Sequence, residues 1–280
     1  MLTLIFKVYD EGVAFRYEFP KQPQLNYFII EDELTQFNLN GNHKTFWIPG
    51  DYDSQEYAYN ETLFADIDGA KIDMNNGIGL KTIRSNQRVQ SPLMMKTAQG
   101  LYLNIFEAAV VNYPVMHLEV QPNTFRLTSH LVPNALGDKA YLQTPAVTPW
   151  RTIFVHDDAR KIVSSRMILS LNEPCKISDV SYIKPMKYVG VWWEMHVGKS
   201  TWDYAGSQNA QNAADGSLKP SGRHGATTEN VKRYIDFAAQ HGFDGVLVEG
   251  WNTGWEDWFG NWKEDVFDFV TPYPDFNIKY

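Results

Sequence analysis

Apolar and polar positions alternate along most of the first 155 residues. The runs LTLIFKVY, VAFRYEF, LYLNIFEAAV, MHLEVQ, FRLTSHL and RTIFV carry β-branched and aromatic residues, and turn-forming residues separate them. This pattern predicts the short strands of an all-β sandwich over residues 1–157. From 158 to 183, DARKIVSSRMILSLNEPCKISDVSYI mixes helical and irregular character, which predicts a linker.

After Lys184 the pattern changes. An apolar strand, YVGVWW, is followed by a long polar loop, an amphipathic helix and a second apolar strand, GVLVEGW. Thr227 or Thr228 can cap the helix, and Glu229 suits its electropositive first turn. Val231, Tyr234, Ile235 and Ala238 fall at i, i+3, i+4 and i+7, and Gly242 is placed to end the helix. Two parallel strands joined by such a helix fit the opening of a (β/α)8 barrel or a doubly wound sheet. A closed barrel needs about 250 residues, far more than residues 184–280 supply. The reading is therefore a multidomain chain in which a β-sandwich, cut at its start, precedes a partial barrel, cut at its end.

Composition narrows the chemistry. Lys and Arg number 25 against 33 Asp and Glu, for a formal charge of -8, which argues against a surface that tracks nucleic-acid phosphates. Cys175 is the single cysteine, so an internal disulfide or a CxxC site is ruled out. No run of 18 uncharged apolar residues is present, so no membrane span is predicted, and the first residues lack the features of a signal peptide.

Several constellations could carry chemistry. GKST at 198–201 lacks the upstream glycine of a phosphate-binding loop, because Trp193 stands at that position. DIDG at 66–69 lacks the remaining spacing of a calcium loop. In LYLNIFEAAV, alternation places Leu101, Leu103, Ile105 and Glu107 on one face. A carboxylate there must meet a cation or hydrogen-bond donors, or stay protonated, unless it lies at a solvated rim. A metal ligand is the sharper reading of Glu107.

In parallel α/β domains ligands bind at the carboxyl ends of the strands. Those ends carry Trp192, Trp193, Glu194 and His196, then Glu249, Trp251 and Asn252, with Trp255 just beyond. The loop over 197–226 brings Lys199, Asp203, Arg223 and His224 to the same rim. Seven of the nine tryptophans lie between 192 and 262. Indole faces pack on the C–H faces of sugars while carboxylates and amides bond hydroxyl groups, so the set suits a carbohydrate cleft. Some of these rings would equally serve as core.

The segments YVGVWWEMH, HGATTENVKRYIDFAAQHGFDGVLVEGWNTGWEDWFGNW and VFDFVTPYPDF resemble the first part of the catalytic barrel of glycoside hydrolase family 97. FKVYDEGVAFRYEF, IFEAAVVNYPVMHLEV and TPWRTIFV are similar to the family's N-terminal β-sandwich, so the resemblance spans essentially the whole chain. It implies a mutarotase-like β-sandwich over 1–157, a linker over 158–183, and the first βα units of a (β/α)8 TIM barrel over 184–280. It further implies an exo-acting, calcium-dependent α-glucosidase that takes α-linked oligosaccharides and works in the periplasm or outside the cell. Glu107 matches the family's calcium-binding glutamate of the sandwich. Trp193, His224, Glu249, Trp251, Asn252 and Trp255 become the expected substrate contacts. The resemblance puts the catalytic acid and base beyond Tyr280, so the piece alone is expected to be inactive. An α-galactosidase of the same family and a non-catalytic carbohydrate-binding protein are the alternatives.

Overall fold

The computed structural model describes residues 1–72, 82–200, 225 and 228–248. It divides into two units, Met1–Lys176 and Ile177–Tyr280.

The first unit is built on two antiparallel sheets. The larger contains β1 (Thr3–Tyr9), β2 (Gly12–Phe19), β5 (Lys44–Trp47), β6 (Asn60–Leu63), β8 (Leu93–Lys96), β9 (Tyr102–Ala108), β13 (Ala146–Val147) and β14 (Trp150–His156). Its order is β1-β2-β14-β9-β8-β5-β6, with β13 also paired to β2. The smaller sheet orders β4 (Gln36–Asn38), β11 (Arg126–Leu131), β10 (Met116–Gln121) and β7 (Arg88–Gln90) as β4-β11-β10-β7. A separate ribbon pairs β3 (Tyr27–Ile30) with β12 (Ala140–Gln143).

The period-two pattern explains how the sheets meet. Trp47, Leu93, Met95 and Ile105 of the larger sheet share one core with Phe37, Val89, Met116, Leu118, Val120, Leu127 and Leu131 of the smaller. Each such side chain contributes about 1.5–3 kcal/mol on burial. A second core gathers Ala14, Ala108, Trp150 and Phe154 with Met167 and Leu171. The last two belong to α2 (Met167–Leu171), which follows α1 (Arg160–Ser164). Part of the segment expected as linker thus carries buried residues. Lys7 and Arg16 lie over the Trp150 ring, at 4.9 and 4.5 Å from its centroid, where the indole quadrupole favours cations.

The alternate residues of the smaller sheet form a polar group. His117 pairs in register with His130 and with Gln90, and Glu119 pairs with Arg88. Tyr52 joins them: its hydroxyl lies 2.7 Å from His130 Nε2 and accepts from Arg88 Nη1 at 3.0 Å. Arg88 Nε donates to Glu119 Oε2 at 2.7 Å.

The second unit pairs β15 (Tyr188–Gly190) with β16 (Gly245–Leu247) in parallel. The helix predicted between them spans Thr228–Gln240, and we label it α4; Val231 and Ala238 of its apolar stripe are buried. Gly242 takes φ +69, and the Phe243 N–H donates to the Ala238 carbonyl at 2.9 Å, closing the helix as a left-handed glycine cap does. The first strand is shorter than YVGVWW. Its ladder ends where the Val191 N–H meets the Leu247 carbonyl at 3.2 Å, and Trp193–His196 forms a single helical turn, α3. Among the described residues no helix is long and apolar enough to cross a membrane.

Candidate functional site

In the first unit the chemistry centres on a buried acid-base-acid triad. Glu107 of β9 and Arg151 of β14 are register partners across the sheet. Glu33 enters from the connection between β3 and β4. Arg151 is fully buried and donates through Nε and Nη2 to the two oxygens of Glu33, at 2.8 and 2.7 Å, and through Nη1 to Glu107 Oε2 at 2.5 Å. The partner that strand alternation demands for Glu107 is therefore a guanidinium, and Glu107 lies well away from any solvated rim, at 5% exposure.

Neighbouring donors complete the triad. The Met116 N–H donates to Glu107 Oε1 at 3.0 Å and Oε2 at 3.2 Å. Thr35 Oγ1 donates to Glu33 Oε1 at 2.8 Å, and the Tyr113 hydroxyl donates to Glu33 Oε2 at 3.0 Å. Two carboxylates around one guanidinium leave one surplus negative charge, and the geometry decides where it sits. Burial pushes the Glu33 carboxyl up, but the bidentate bonds and charge of Arg151, with Thr35 and Tyr113, more than offset this and hold it below the usual range. Glu107 has the single Arg151 bond and feels the charge of Glu33. Burial therefore dominates there and raises its pKa. The connection between β9 and β10 that frames this side holds Ala109 and Asn112 at φ 54 and 51.

Calcium takes six to eight oxygen ligands. Among the described residues, no three His, Cys, Asp or Glu side chains converge on one point. Glu107 could offer Oε1, which meets only a backbone N–H, while Oε2 is engaged by Arg151. The described residues do not make a calcium site by themselves.

In the second unit a different carboxylate is the hub. Glu194 of α3 is buried, and its Oε1 accepts from Arg233 Nη2 at 2.6 Å and from the Tyr234 hydroxyl at 3.0 Å, with Lys199 Nζ at 3.4 Å. Its Oε2 accepts from Ser200 Oγ at 3.0 Å and Asn230 Nδ2 at 3.1 Å. Burial raises this carboxyl too, but the hydrogen bonds from Asn230, Ser200 and Tyr234 and the Lys199 charge bring it below its usual value. Next to it in sequence Trp193 turns outward and is 66% exposed, with its ring 5.5 Å from that of His196.

The predicted site residues are distributed over both units. Glu107 is buried in the first unit, and Trp193 is exposed at the carboxyl end of β15. His224, Glu249, Trp251, Asn252 and Trp255 lie outside the described residues. Sequence reasoning missed Arg151 and Glu33. Arg151 had a signal, since RTIFV sets it on the same face as Ile153; Glu33, within the polar run EDEL, had none.

Comparison with known proteins gives this arrangement its context. Residues 2–174 match the family Glycosyl-hydrolase 97 N-terminal, and residues 192–280 match Glycoside hydrolase 97. The chain belongs to glycoside hydrolase family 97. A family 97 enzyme from Pseudoalteromonas sp. strain K8, solved in complex with acarbose, is 41% identical with a TM-score of 0.73, over 99% of this chain and 37% of that one. A variant of a family 97 enzyme from the same strain, in complex with panose, is 40% identical with a TM-score of 0.71, over the same shares. A retaining alpha-galactosidase of Bacteroides thetaiotaomicron is 24% identical, over 95% of this chain and 38% of that protein. The chain thus spans under two fifths of the length of these relatives.

Proposed function

We propose that the whole protein carrying this chain is an exo-acting glycosidase on α-linked oligosaccharides, with α-glucosides as substrates. The observation that carries the glucoside preference is the difference in identity: 40–41% to family 97 enzymes seen with acarbose and panose, against 24% to the retaining alpha-galactosidase. The outward Trp193, at the carboxyl end of a parallel strand, supports a sugar-stacking role for its indole. The opening turns of a (β/α)8 barrel are part of the same proposal, supported by the parallel pair β15 and β16 and the helix between them.

The buried carboxylates of Glu33, Glu107 and Glu194 serve as neither acid nor base in this reading. Glu33 and Glu107 are held by Arg151, and Glu194 is saturated by donors. In this reading a carboxylic acid and a second carboxylate, both outside the described residues, protonate the leaving oxygen and activate water. Calcium enters the proposal with Glu107 Oε1 as one of its oxygens, the rest coming from elsewhere. Export to the periplasm or the medium rests on the family resemblance alone.

The experiment is an assay of the full-length protein on maltose, panose and paired aryl α-glucoside and α-galactoside, each with and without a chelator. Faster turnover of the glucoside, lost on chelation and restored by calcium, is expected. Preference for the galactoside would establish the alternative specificity. Glycan binding without hydrolysis would make the protein a binding module, and chelator-insensitive turnover would remove calcium.

A further inference from the structure

Glu194 draws donors from two segments onto one buried carboxylate. Lys199 and Ser200 follow it on the loop, and Asn230, Arg233 and Tyr234 stand on α4. Its backbone takes part as well: the Lys199 and Ser200 N–H groups donate to the Glu194 carbonyl at 2.8 and 3.3 Å. The element it belongs to has four residues. A helix that short has no stability of its own, because nucleation is unfavourable and few bonds repay it. Its N-cap, Trp192, makes no capping side-chain bond. What fixes α3 is therefore tertiary, and the Glu194 side chain ties it to α4 through Asn230, Arg233 and Tyr234.

The same turn carries the outward indole. Trp193 and Glu194 are consecutive, so their side chains leave the helical turn on different sides, one 66% exposed and the other 5% exposed. The imidazole of His196 stands edge-on to the rings of both Trp192 and Trp193, at 6.0 and 5.5 Å. An exposed aromatic surface stacks on a sugar more tightly when its ordering cost is met before the ligand arrives.

We infer that Glu194 is a positioning residue for substrate binding: by clamping α3 to α4 it holds the Trp193 indole preorganised for a pyranose ring. This rests on the glycosidase reading above and adds to it the device that sets one sugar contact. The hydroxyl of Tyr234 and the side chains of Asn230 and Arg233 are the helix's half of the clamp.

The test uses the full-length protein and reads two independent quantities. Hydrogen exchange by mass spectrometry over residues 191–200 reports the clamp, whatever the activity. In Glu194→Ala the protection of the Val197, Lys199 and Ser200 amides is expected to fall while that of the first unit stays; unchanged protection would overturn the clamp. Kinetics on the preferred glycoside report the consequence. Trp193→Ala is expected to raise KM about tenfold, equivalent to about 1.4 kcal/mol, with kcat nearly unchanged. Glu194→Ala is expected to match it, and the double variant to be no worse than either, because both remove one contact. Glu194→Gln, which keeps an acceptor for Arg233 and Tyr234, is expected to restore most of the loss and guards against misfolding of the alanine variant.

Additive effects, or a wild-type KM in Glu194→Ala beside a raised one in Trp193→Ala, would overturn the inference and leave the glycosidase reading standing. A wild-type KM in Trp193→Ala would remove the indole contact and the inference with it. Should no glycoside be hydrolysed, the glycosidase reading fails, and acarbose affinity by calorimetry replaces KM in the same comparison with the same deciding outcomes.

Discussion

Glu107 and Arg151 face one another in register across β9 and β14, and the guanidinium grips Glu33 with two bonds and Glu107 with one. This asymmetry makes the cation the indispensable member.

Removing it leaves two carboxylates buried without a counter-charge. Arg151→Met is expected to destabilise the first unit by about 3–5 kcal/mol, the usual cost of breaking a buried pair from one side. Glu107→Gln, which preserves the Arg151–Glu33 bidentate bond, is expected to cost far less. Urea denaturation of both variants at neutral pH, followed by tryptophan fluorescence, checks the order; equal losses would contradict it.

His117 supplies an acid-sensitive element. It is buried, its Nδ1 has no hydrogen-bond partner among the described residues, and the Tyr52 ring lies 5.9 Å from it. Burial, aided by the charges of Arg88 and His130, lowers its pKa from 6.5 to about 4. The unfolded chain therefore takes up this proton first as pH falls. The contribution is complete above pH 6.5 and is lost progressively towards pH 4, amounting to roughly 3 kcal/mol at most. His117→Gln is expected to flatten the stability profile between those pH values. An unchanged slope would show that other groups set it.

The β9–β10 connection stores strain that can be relieved. Ala109 sits at φ 54, where an L side chain costs roughly 1–2 kcal/mol and glycine costs nothing. Allowing for the greater freedom of glycine in the unfolded chain, Ala109→Gly is expected to raise stability by about 0.5–1 kcal/mol. A shift of the urea midpoint to higher concentration at unchanged slope is the signature. Destabilisation would mean that the Ala109 methyl contributes more by packing than its backbone loses.

Six strands of the first unit, β1, β2, β9, β10, β11 and β14, were legible because each needed only its own alternation, whereas β3–β8, β12 and β13 are too short to show one. β10 and β11 emerge from MHLEVQ and FRLTSHL with the apolar residues inward. The helix α4 was legible for the same reason, since threonine, the apolar stripe and Gly242 are all local signals. The triad was only half legible. Alternation placed Glu107 on the apolar face and required a partner, but naming Arg151 needs the pairing of strands 44 residues apart. Finding Glu33 needs a contact across 118 residues from a stretch that reads as solvated. The short turn at Trp193 escaped because YVGVWW is apolar throughout, and the bonds from α4 to Glu194 are contacts that the sequence does not display.

The place of β14 between β2 and β9 also orders events in time. It is the last strand of its sheet to be synthesised, yet it occupies the middle and joins the N-terminal hairpin to the rest. Arg151 follows Glu33 by 118 residues, which at ribosomal speed is a delay on the order of ten seconds. Until then the nascent sheet lacks its central strand and the two acids lack their cation. Charge neutralisation and sheet completion therefore fall in a single step, and such long-range pairing folds slowly.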